Sequence, residues 1–130
     1  MIILTIRTDK PESEIGLYDD GRQIDYVTWT AHRQLAETIH RKIEELLKAH
    51  EHNWSDIRGI VCFEGPGSFT GLRIGLTVGN ALAYSYGVPI VATQDPNWLE
   101  TGLVRLGKGE TDVPALPFYG ADAHITQPKK

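Results

Sequence analysis

The residues best suited to chemistry in this chain lie in one run, Gly65-Pro66-Gly67-Ser68-Phe69-Thr70-Gly71. The run separates an apolar, β-type segment from a long uncharged one. Glycines let a backbone come close to a ligand, and free N–H groups at the start of a helix attract anions. Gly65, Gly67, Ser68 and Thr70 are therefore candidates for holding a phosphate or carboxylate. The run lacks the Gly-Lys-Ser/Thr ending of a Walker A loop and the spacing of a dinucleotide fingerprint. The competing reading is a tight strand-to-helix turn whose glycines serve geometry alone.

A second pattern follows directly. Gly71, Gly75, Gly79, Ala83 and Gly87 recur every four residues, which places them on one face of a helix. An interior glycine costs a helix about 1 kcal/mol against alanine. Several on one face need a compensating contact, and close approach of another backbone supplies one. The stripe does not say whether that neighbour is this chain's own sheet or a second subunit.

Other reactive side chains form no set. His32 and His40 stand eight apart, slightly over two helical turns, which is not the pairing of a zinc-binding helix. His50 and His52 point to different faces of a helix end. Ser68 lacks the surroundings of a nucleophile elbow, and Cys62 lies in an apolar strand as core filling. Glu64 is the acid nearest the loop.

Composition narrows the class. With 130 residues, 13 basic and 17 acidic side chains, the chain suits one domain of net charge −4. That balance argues against binding nucleic acid alone through a basic face. A single cysteine excludes a disulfide framework. Residues 65 to 94 hold one charge, Arg73, but Gly87-Val88-Pro89 and the polar Asn80, Tyr84, Ser85 and Tyr86 argue for a buried helix and strand rather than a membrane span. Met1 to Ile6 lacks the basic start of a signal peptide, so a cytoplasmic protein is expected.

The elements that must position these residues follow from periodicity. Strands are predicted at Ile2–Arg7, Glu14–Tyr18 and Arg22–Trp29, with an Asp19-Asp20-Gly21 hairpin turn. A helix with Leu35, Ile39, Ile43, Leu46 and Leu47 on one stripe is predicted over His32–His52, with Thr30 as its cap. Then come a strand at Arg58–Phe63, a helix at Phe69–Tyr86, a strand at Val88–Ala92, and a helix from Asp95-Pro96 to Leu106. This order is β-β-β-α-β-α-β-α, an α/β fold with a mixed sheet, and the helical crossovers imply parallel neighbours.

Gly65 to Gly75, eleven residues in this setting, resembles the signature of the TsaB (YeaZ-like) family. That family stands with TsaD, its glycoprotease-like relative, in the actin–hexokinase superfamily. The resemblance runs from the first strand to about Ala92, and more weakly to Pro117-Phe118-Tyr119 and Ile125-Thr126-Gln127-Pro128. It implies a single actin-like (RNase H-like) lobe over residues 1–106, with a five-stranded mixed sheet and flanking helices, and a tail over 107–130. It also implies a non-catalytic scaffold subunit without cofactor or metal, which dimerises with a TsaD-type partner through the first two helices. A TsaE-type ATPase joins the assembly. The reaction served is threonylcarbamoylation of adenosine 37 in tRNAs reading ANN codons, with tRNA met only through the complex and no membrane involved. Carried over by position, the interface falls on Leu35, Ile39, Gly71, Arg73, Gly75, Gly79 and Ala83.

Two departures bear on the alternatives. Where the family shows Ile-Asp-Thr after the first strand, this chain has Ile6-Arg7-Thr8, and the reversed charge opposes Mg-ATP binding. Family members have two lobes with a nucleotide cleft between them, whereas this chain has residues for about one, and its tail suggests a natural internal deletion. An ATP-binding or peptidase-like enzyme, and a self-contained homodimer, are the rival readings.

Overall fold

A computed structural model of the chain describes residues 1–31, 34–67 and 69–117. Strands β1 (Ile2–Arg7), β2 (Glu12–Asp19) and β3 (Arg22–Thr30) form an antiparallel meander. Helix α1 (Leu35–Ala49) leads to β4 (Ile57–Phe63), α2 (Phe69–Tyr86), β5 (Ile90–Thr93) and α3 (Trp98–Gly107). The sheet order is β3-β2-β1-β4-β5, with β4 parallel to both β1 and β5. This is the mixed, RNase H-like α/β arrangement expected from the sequence.

Period-two burial divides the core between the sheet's two faces. Leu4, Ile6, Ile15, Leu17, Ile60 and Cys62 pack against α1 and α2. Ile3, Tyr18, Val61, Phe63 and Val91 pack against Trp98 and Leu106 of α3. Helix α1 buries Leu35, Ile39, Ile43, Leu46 and Leu47, the stripe predicted from spacing.

Two caps differ from expectation. Thr30 ends β3 and does not cap α1, whose first turn follows Gln34 without a side-chain cap. Asp95 does not cap α3. That helix starts at Trp98 after Asn97, which sits at φ 63° in the left-handed region. Asn tolerates that region better than most residues, and Asp95 is engaged by Arg7 instead. Strand β5 pairs from Ile90 rather than Val88, because Gly87 at φ 63° ends α2 and the chain must first turn through Pro89.

The chain after α3 turns back along β5. Asp112 N–H donates to the Ile90 carbonyl at 2.6 Å, Thr111 Oγ1 accepts from Ile90 N–H at 3.2 Å, and Asp112 Oδ2 accepts from Ala92 N–H at 2.9 Å. Arg105 Nη1 donates to the Ala92 carbonyl at 3.1 Å, while Nη2 holds Asp112 Oδ1 at 2.7 Å. Asn80 exchanges two hydrogen bonds with the backbone of Ala115, each 2.9 Å. Residues 118–130, which hold the tail positions of the family resemblance other than Pro117, lie outside the described residues.

Partial burial works against the Asp112 charge, but Arg105 and the Ala92 amide outweigh it and hold its pKa below 3.8. The unfolded chain therefore takes up the proton first as pH falls. The contribution is complete above the ordinary carboxylate range and is lost as pH drops through the lowered folded value. Asp112→Asn should cost about 1–2 kcal/mol at neutral pH, and the gap should close only below about pH 4. Urea unfolding of both chains across pH checks this, and a gap independent of pH would overturn it.

Candidate functional site

The glycine stripe of α2 faces the chain's own sheet. A Cβ on Gly79 would stand 2.5 Å from Cys62 Sγ and 3.1 Å from Ile90 Cδ1. A Cβ on Gly75 would collide with Thr8 Oγ1 and press on Ile6. The neighbour that compensates for helical glycine is therefore β1, β4 and β5. Of the interface residues carried over by resemblance, Leu35, Ile39, Gly75, Gly79 and Ala83 are buried within this chain. Gly71 is half-buried, and its carbonyl accepts the Thr8 hydroxyl at 2.6 Å. Among the seven, Arg73 stands exposed.

What the two helices leave open lies one residue off the stripe. Ala36 of α1 and Thr70, Arg73, Ile74, Thr77 and Val78 of α2 line a groove of about 460 Å³. Ile74 and Val78 are only partly buried and rest on the core beneath. Sequence reasoning missed both. Their signal was a four-residue apolar repeat displaced by one position from Gly75 and Gly79, masked by the general apolarity of the segment.

The glycine-rich turn is shaped by an acid. Gly65 is buried at φ 116°, a conformation that favours glycine. A Cβ on Gly67 would stand 2.6 Å from Asp9 Cβ and 3.1 Å from Asp9 Oδ2. A carboxylate against the turn repels an anion there, which favours the geometric reading for Gly65 and Gly67. Ser68 lies outside the described residues, and Thr70 is exposed in the first turn of α2.

At the end of β1, Arg7 gathers partners from across the fold. Its Nε donates to Asp9 Oδ1 at 2.8 Å and its Nη2 to Asp95 Oδ2 at 3.1 Å. The guanidinium carbon lies 3.8 Å from the Phe63 ring centroid and 5.8 Å from that of Trp98, within cation–π range. Burial opposes the charge, but Asp9 and Asp95 prevail and raise the guanidinium pKa above its ordinary value. Neither Asp9 nor Asp95 was recognised in the sequence as a partner of Arg7. They are two and eighty-eight positions away, and only the fold brings the second near.

The remaining reactive groups are occupied or inert. His50 Nε2 meets Asp25 Oδ2 at 2.8 Å, His52 Nδ1 meets Asp56 Oδ2 at 3.2 Å, and His40 stacks on Trp54 at 4.7 Å. His32 lies outside the described residues. Burial pushes the Cys62 thiol up to about 12, so it stays protonated near neutral pH. Among the described residues no group of three or more His, Cys, Asp or Glu could hold a metal ion, and no helix is long and apolar enough to cross a membrane.

Comparison with known proteins gives this geometry a lineage. The family model for TsaD, tRNA N6-adenosine threonylcarbamoyltransferase, matches residues 28–104. A protein of that name from Geotalea uraniireducens is 32% identical over 144 residues, covering 96% of this chain and 41% of the relative. The tRNA threonylcarbamoyladenosine biosynthesis protein TsaB of Escherichia coli is 30% identical over 117 residues, covering 82% and 48% respectively. Among solved structures, YeaZ from Pseudomonas aeruginosa superimposes with a TM-score of 0.66 at 26% identity, over 72% of this chain and 44% of that one. The chain thus spans less than half the length of these relatives. With the signature turn, the meander and the two packed helices all in place, the chain belongs to the TsaD/TsaB family of tRNA threonylcarbamoyladenosine biosynthesis proteins.

Proposed function

We propose that this chain is a non-catalytic scaffold subunit in threonylcarbamoylation of adenosine 37 of tRNA. In this reading it binds a TsaD-type partner along the groove between α1 and α2, within a cytoplasmic assembly that includes a TsaE-type ATPase. The observation that carries the reading is the groove itself. Ile74, Val78 and Ala36 form an apolar strip beside Arg73 and Thr77, next to the stripes by which the two helices pack on the core. Apolar strips rimmed by polar residues suit protein partners.

Two further observations favour a scaffold over an enzyme. Arg7 places a cation between Asp9 and Asp95, which opposes a metal–nucleotide complex at the end of β1. The thiol is buried and protonated. The net charge of −4 assigns tRNA contact to other subunits.

Size-exclusion chromatography of the chain with the TsaD protein of its own organism should show co-elution. Val78→Asp should weaken that complex at least about hundredfold, because it buries an unpaired carboxylate in the contact. The isolated variant should be less stable, because Val78 rests on the core, but should keep a cooperative unfolding transition, so that loss of the complex is read on a folded chain. Failure of the native pair to associate, or a complex indifferent to Val78→Asp, removes the proposal. A dimer of the isolated chain broken by the same change would assign the groove to a second copy instead.

A further inference from the structure

On the α1/α2 side of the sheet, beside the first turn of α2, lies a cavity of about 280 Å³. Its size is near the lower end of small-molecule sites, about 300–1,000 Å³. One end is apolar, formed by Ala31, Leu35 and Ile74. The other is polar, formed by Thr70 and Gly71 in the first turn of α2 and by Ser13 of β2. Amides of a helix's first turn have no acceptor within the helix, and the macrodipole adds partial positive charge.

Ser13 is the independent observation. It is 1% exposed, it forms part of the cavity wall, and its Oγ has no hydrogen-bond partner among the described residues. A hydroxyl buried without a partner destabilises a fold, whereas a ligand accepting its proton would satisfy it. Nothing in the two core clusters asks for a hydroxyl here, since Ile15 and Leu17 on the same face of β2 are apolar.

The charge balance selects the ligand. Lys10 stands at the wall, but its Nζ already meets Glu14 Oε2 at 2.8 Å. Asp9, between the wall residues Thr8 and Lys10, is paired with Arg7, so what remains is the helix start and a neutral hydroxyl, enough for a single negative charge and too little for a dianion. We propose that the cavity binds a small carboxylate with a short apolar tail. The carboxylate accepts hydrogen bonds from the Ser13 hydroxyl and the Thr70 and Gly71 amides, and the tail rests on Ala31, Leu35 and Ile74. The cavity borders the docking groove through Thr70 and Ile74, yet the proposal requires no partner protein and is tested on the chain alone.

The test is an NMR titration of the full ¹⁵N-labelled chain with sodium pentanoate, inorganic phosphate and pentanol in parallel. Pentanoate should move the Thr70 and Gly71 amides saturably, and pentanol should leave them in place. Ser13→Ala should weaken pentanoate about tenfold while unfolding no more easily than the native chain, because it removes an unpaired buried hydroxyl. This combination separates a binding role from a structural one. Absence of saturation with pentanoate, tighter binding of phosphate at the same amides, or unchanged affinity in Ser13→Ala would each overturn the proposal.

Discussion

A leucine in place of Gly79 should leave the chain without a cooperative unfolding transition, and an alanine there should cost about 2 kcal/mol. Helix propensity alone argues the other way, since Gly→Ala inside a helix gains about 1 kcal/mol. The sheet decides the sign. The new Cβ would stand 2.5 Å from Cys62 Sγ, and Cys62 is buried in the core beneath α2. Small-to-large changes in a close-packed core cost about 1–3 kcal/mol, occasionally more, and leucine adds three further carbons to the same gap.

The cause can be isolated. Removing the sulfur with Cys62→Ala should make Gly79→Ala much better tolerated, giving a favourable coupling of about 1–2 kcal/mol in a double-mutant cycle by urea unfolding. An isolated Gly79→Ala chain more stable than the native one would mean that the stripe does not rest on the sheet. This experiment also separates internal packing from the proposed docking: Gly79 is read out by folding, whereas Val78, one position away, is read out by association.

Arg7→Met should cost about 3 kcal/mol at neutral pH. The side chains of Arg7 and Asp9 are only 13% and 7% exposed, and removing one member of a buried pair strands the other charge, typically at about 3–5 kcal/mol. Asp95 is 55% exposed and can turn to water, which keeps the loss toward the lower figure. Methionine keeps an unbranched apolar stem but gives up the guanidinium over the Phe63 ring, so the deficit includes that contact as well as the stranded charge. Arg7→Lys should lose less, because an ammonium preserves the charge while giving up the planar fork and the face-on contact with the ring. Equilibrium denaturation ranks the three chains; equal stability of Arg7→Met and the native protein would refute the stranded-charge account.

Much of the fold was legible because its signals are local. The bounds of β1 and α2 agree with those read from apolar runs and the glycine-rich turn, and the α1 stripe from Leu35 to Leu47 emerged from spacing alone. The misplaced signals were local rules overridden by distant partners. Asp95-Pro96 has the composition of a helix start, but Arg7 claims the carboxylate and α3 begins later. The stripe announced close packing without saying against what. Its contacts Ile6, Cys62 and Ile90 lie on three separate strands, so only the assembled sheet identifies them. The vacant Ser13 hydroxyl had no sequence signal, since a serine in a strand is unremarkable until its neighbours are placed around it.

The turn-back of the chain along β5 has a consequence for how this molecule can meet others. An outer strand normally offers a ladder of free amides and carbonyls onto which a foreign strand can add, the route to swapped and fibrillar assemblies. Here the outward groups of Ile90 and Ala92 are all taken, by Thr111, Asp112 and Arg105. Among the described residues this leaves the β3 side as the open margin, where Arg22, Gln23 and Asp25 are interleaved with Ile24 and Tyr26. Extension of the sheet past β5 is thereby discouraged by the chain's own return segment.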